Sequence, residues 1–111
     1  MSSACESFFA ATAVLASAGP IKHRLHEAYR AHLADIDEDE LPKELREEFT
    51  SLSTCMSRVR PMRGETAVQA TVRKMSDRDA GGLAIRIVSM LAVMSRQSQI
   101  QRPKLRAVGE D

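Results

Sequence analysis

The sequence predicts an all-α fold: a compact bundle of four to five short helices with a disordered C-terminal tail. Three observations predict it. Apolar residues recur at spacings of three and four along several segments, which is the period of one helix face. Pro and Gly fall between those segments and leave no long linker. Hydrophobic residues make up 43% of the 111 positions with three Phe, one Tyr and no Trp, so the chain can build one modest aliphatic core of Leu, Ile, Val, Met and Ala. The length suits one domain, and residues 1–97 are assigned to a single helical domain. Residues 98–111, which mix Gln, Arg, Pro and Lys, are assigned to the disordered tail.

The first helix is expected from about Glu6 to Ser17, with Phe8, Ala11, Leu15 and Ala18 on one face. Gly19 supplies a left-handed C-cap, and Pro20 suits the first turn of the next helix. The apolar run from Phe8 to Ala18 has the length of a signal-peptide core. The only charge ahead of it is Glu6, however, and a signal peptide needs a cationic start, so a helix is the better account. The second helix is expected from Ile21 to Ala34. Ile21, Leu25, Tyr29 and Leu33 recur every fourth residue, and Ala28 and Ile36 extend the stripe.

The third helix is expected from Pro42 to Arg60, on the stripe Leu41, Leu45, Phe49, Leu52, Met56 and Val59. Glu44, Glu47 and Glu48 lie early and Arg58 and Arg60 late, as the helix dipole favours, and Pro61 stops the helix. A fourth, short helix is expected from Glu65 to Met75, with Val68, Val72 and Met75 inward. In "SDRD" Ser76 is expected to cap the last helix, Asp77 to Arg96, which accounts for Ser76 better than a basic-directed phosphorylation site does. Ala80, Leu83, Ala84, Ile87, Val88, Leu91 and Met94 form its apolar face. Gly81 and Gly82 weaken its first turns and are expected to admit a close neighbour.

The most conspicuous ligand-like cluster is "DIDEDELPKELRE", Asp35 to Glu47. Asp35, Asp37 and Asp39 match the first three ligand positions of a calcium loop. The match then fails. The obligatory Gly is Glu40, the aliphatic position is Pro42, and the bidentate Glu is Arg46. The stretch is better read as a polar corner in which Asp37 or Asp39 caps the third helix and Leu41 is buried. His23 and His26 share a helix face, but two ligands do not make a stable zinc site, and His32 lies on the opposite side. No G-x-S-x-G elbow, Gly-rich phosphate loop or C-x-x-C occurs. No catalytic residue, metal or cofactor is therefore assigned, and no catalysis is expected. Cys5 and Cys55, fifty residues apart, read as free thiols of a reducing compartment, which gives a cytoplasmic expectation. No apolar run reaches membrane-spanning length.

The formal net charge is only +1, yet the charges are segregated. Asp35 to Glu48 holds eight acids against Lys43 and Arg46, a net −6. Arg58 to Asp79 holds six cations against three acids, Glu65, Asp77 and Asp79, a net +3. The function expected on this ground is protein–protein interaction or regulation, with another protein or a second copy as partner. The candidate contact residues are Arg58, Arg60, Arg63, Arg73 and Lys74 on the basic side and Asp37, Glu38, Glu40 and Glu44 on the acidic side. The less favoured alternative is a nucleic-acid-binding accessory protein using segment 58–78, because cations on phosphates release counterions. That segment has no interleaved aromatics to stack bases, and no register of it fits a helix-turn-helix.

Overall fold

The computed structural model describes residues 3–100, with side chains described as far as residue 97. Five α-helices and no strand occur among them: α1 (Ala4–Leu15), α2 (Ile21–Ala28), α3 (Lys43–Met56), α4 (Ala67–Lys74) and α5 (Asp77–Ile100). The all-α expectation is met. The expected tail lies outside the described residues beyond Ile100, while residues 98–100 continue α5.

Each helix start has a local cause. Ser3 and Glu6 form a reciprocal capping box on α1 at 3.2 Å in both directions, so the helix starts two residues before its expected first residue. Thr66 and Gln69 do the same for α4, at 2.8 and 3.0 Å. On α5 the Ser76 hydroxyl accepts the Asp79 N–H at 3.0 Å, so the expected cap forms. Gly19 takes φ 111°, but three residues after the Ala16 C-cap rather than as the cap itself. The Arg24 guanidinium ties the end of α1 to the turn after it, donating to Leu15 O, a carbonyl the helix leaves open, and, at 2.8 Å, to Gly19 O.

α2 runs without a break into a π-helical turn, Tyr29–Leu33, whose wider ladder closes with Ala34 N–H to Tyr29 O at 2.8 Å. Asp37 caps a 3₁₀ turn, Glu38–Glu40, by accepting the Asp39 N–H at 3.0 Å, and does not cap α3. α3 instead starts after Pro42, whose extended backbone turns the chain into the helix. Its end also differs from the expected one. The helix stops at Met56, so Arg58 and Arg60 lie beyond it and not in its last turn. The tertiary reason is Thr71: its buried hydroxyl accepts the Val59 N–H at 3.0 Å and draws the chain across to α4.

α1 and α3 both run antiparallel to α5. Ser3 to Cys5 lie near Met94 and Gln97, and Leu15 lies near Gly81 and Ala84. Cys55 lies near Leu83, and Glu44 accepts from Gln97. Phe8, fully buried, meets Phe49 edge to face at 6.0 Å and joins α1 to α3. One cluster of buried residues includes side chains of all five helices. Most residues of the expected stripes of α2 and α3 are in it, as is Leu41 at 2% exposure, while Ile21 and Ile36 pack on it partly buried and Val59, past the end of α3, is not part of it. On α5 most of the expected face is inward, with Ala80, Ala84, Ile87 and Met94 buried and Leu83 and Leu91 packed on the core, but Met90 is buried as well and Val88, expected inward, is 43% exposed. A Cβ added at Gly81 or Gly82 would meet nothing within 4 Å, so neither glycine serves a close helix contact.

Candidate functional site

The acidic corner uses several of its side chains to build itself. Glu38 accepts the Thr50 hydroxyl at 2.6 Å, and Glu44 accepts from Gln97. Arg46, placed where a calcium loop needs its bidentate Glu, donates to Leu41 O at 3.1 Å and Asp39 O at 3.3 Å, so the cation staples the loop backbone. Asp35, Asp39, Glu40 and Glu47 are exposed and, among the described residues, their carboxylates have no hydrogen-bonding partner. Glu48 faces the other way, toward the Arg86 guanidinium of α5 at 2.7 Å. That carboxylate holds the Arg86 pKa above its ordinary value.

The basic segment does not act as one unit. Arg73 is committed to Glu65 through two bonds, at 2.7 and 3.1 Å. This pair, with the Met62 N–H donating to the same carboxylate at 3.0 Å, holds the Glu65 pKa below its ordinary value. Arg60, Arg63 and Lys74 are exposed, the first two on the connector between α3 and α4. Of the five candidate cations, Arg58 lines a groove, and there it is joined by Arg78 and Arg86 of α5. Cys55, Met75, Asp79, Gly82 and Leu83 complete this groove of about 490 Å³. Arg86 is held in place by Glu48, by Ser51 at 3.1 Å and by Cys55 Sγ at 3.9 Å. Arg58 and Arg78 are exposed and, among the described residues, form no ion pair. No ion pair among the described residues links the acidic corner to segment 58–78.

The groove therefore offers two exposed guanidiniums and one anchored guanidinium beside apolar Met75 and Leu83. That combination suits an anionic group carried on an apolar or peptide body. Arg86 was not among the residues singled out from the sequence. The available signal was its spacing: Arg78, Gly82 and Arg86 follow at every fourth residue, as Cys55 and Arg58 follow at three. The groove contains no histidine and no aromatic. His23 is exposed, and His26 Nδ1 lies 3.4 Å from the Glu27 carboxylate. Among the described residues, no three His, Cys, Asp or Glu side chains are grouped to hold a metal ion. No helix among them is long and apolar enough to cross a membrane. Cys5 and Cys55 are unbridged.

Comparison with protein-family models, with curated proteins and with solved structures finds no match.

Proposed function

We propose that the protein is a small interaction or regulatory protein, without catalysis of its own, that docks an acidic segment of a partner protein in the Arg58–Arg78–Arg86 groove. One observation supports this best: Arg58 and Arg78 are exposed, without an ion pair among the described residues, beside the apolar Met75 and Leu83. A charged rim over an apolar surface recognises a peptide that alternates acids with aliphatic residues. Electrostatic steering then speeds the encounter and makes it sensitive to salt. The expected setting is the cytoplasm, in keeping with two unbridged thiols.

Fluorescence anisotropy with a labelled Glu/Leu-rich peptide tests the proposal. Binding is expected at low salt, weakening as salt rises. It is expected to weaken at least about tenfold in the double variant Arg58→Ala/Arg78→Ala, the loss of two charge-assisted contacts. No binding at low salt, or equal binding by the variant, overturns it. The second reading, nucleic-acid binding, draws on Arg60, Arg63 and Lys74, which are exposed and, among the described residues, outside any ion pair. A labelled single-stranded oligonucleotide in the same assay decides for that reading if it binds where the peptide does not.

A further inference from the structure

We propose that the acidic corner of a second copy of this chain occupies the groove, giving a two-fold dimer held at both ends of α3. The proposal rests on the reading of the groove as an acidic-segment site and names its occupant. Its basis is the position of the two charged surfaces on one rigid element. The corner leads into the start of α3, and Cys55 and Arg58 lie at and just past its end. Fourteen residues of helix separate the two poles by about 20 Å. That is more than twice the screening length of about 8 Å at physiological salt. One chain therefore does not bring its own poles into contact, in accord with the lack of any ion pair between them among the described residues.

Two chains can. A two-fold axis across the middle of α3 sets the two α3 helices antiparallel, and each corner then meets the other groove. The exposed stripe of α3 that borders the groove suits this, with Ser51 at its edge, where it accepts from Arg86 at 3.1 Å. Glu47, Ser51 and Thr54 follow at spacings of four and three, all are exposed, and Arg58 continues the series just past the helix. Centred between Ser51 and Thr54, the antiparallel register places Glu47 of one copy opposite Arg58 of the other. Small polar residues occupy the midpoint, where the two backbones approach. Glu40 lies in the 3₁₀ turn just ahead of α3 and adds negative charge at the same end as Glu47. Both ends engage at once, so the contact closes on itself at two copies.

Sedimentation velocity and light scattering on the full chain test this. A dimer is expected at low salt and a shift toward monomer at high salt. Charge reversal at either pole, Arg58→Glu/Arg78→Glu or Glu40→Lys/Glu47→Lys, is expected to give monomers with unchanged circular dichroism. These side chains are exposed, so the fold does not depend on them. Mixing the two variants is expected to restore a heterodimer, since each reversed pole then faces its complement. A monomer at every concentration in low salt overturns the dimer, as does a mixture that stays monomeric. Species larger than a dimer overturn the two-fold closure. A monomeric protein that still binds the Glu/Leu-rich peptide leaves the groove reading standing and removes only the second copy as its occupant. A monomer that binds no peptide removes both.

Discussion

Two threonines show how much a single hydroxyl decides. Thr71 is fully buried, donates to Ala67 O at 2.8 Å and accepts the Val59 N–H at 3.0 Å. Thr12 is half-buried, and its Oγ1 is buried without a partner among the described residues. The same near-isosteric substitution is therefore expected to act in opposite directions. Thr71→Val leaves the Val59 N–H unpaired and is expected to cost about 1–3 kcal/mol. Thr12→Val removes a desolvated hydroxyl that gains nothing and is expected to stabilise by about 1 kcal/mol. Urea denaturation of the two variants beside the parent checks both signs. Two losses of similar size would show that Thr12 has a partner after all. The Thr71 contact also limits how much of the site is legible in sequence. Arg58 was read as a cation at a helix end. The bond that ends α3 early lies twelve residues further along the chain, and local spacing carries no sign of it.

Among the helices, legibility follows how selectively apolar residues are placed. α2 and α3 mix one clean apolar stripe with charged faces, so periodicity identifies the buried side: Leu25, Leu33, Leu45, Phe49 and Leu52 are all in the core. α5 is apolar nearly all round between Leu83 and Met94. Periodicity then permits several inward faces, and packing against α1 chose the one with Met90 inside and Ile85 and Val88 outside. The capping boxes at Ser3 and Thr66 are visible as S-x-x-E and T-x-x-Q, and they, not the apolar spacing, mark where α1 and α4 start. The π-helical turn at Tyr29–Leu33 has no comparable local signature. Gly81 and Gly82 follow from the same packing. They are helical, and open space lies where each Cβ would go. Gly82→Ala is therefore expected to stabilise α5 by about 0.5–1 kcal/mol through the entropy of the unfolded chain. In a domain of this size that raises the melting temperature by roughly 2–8 °C. A calorimetric melt checks it. A lower melting temperature would mean that the Arg-lined groove beside Gly82 needs the space.

At the scale of the whole molecule, α3 is the structural spacer between the two charged surfaces, and its attachment decides whether they are held or merely tethered. Phe49 and Leu45 bring it into the same buried cluster as Phe8 of α1 and Ile87 of α5. On the side facing α5, Arg86 binds Glu48 and Ser51 together. A core shared by every helix predicts that they unfold as one unit. Tyr29, the only tyrosine in a chain without Trp, is 5% exposed and reports on α2 and its π turn. Far-ultraviolet circular dichroism reports on all helices together. Urea transitions followed by tyrosine fluorescence and by circular dichroism are therefore expected to coincide. Phe49→Ala is expected to cost about 3–5 kcal/mol and to shift both transitions together, because the ring lost from α3 is packed on α1. If the variant loses helix content while the Tyr29 signal keeps its midpoint, α3 unfolds separately. The two charged surfaces would then move relative to each other, and the 20 Å spacing on which the two-fold dimer depends would no longer be fixed.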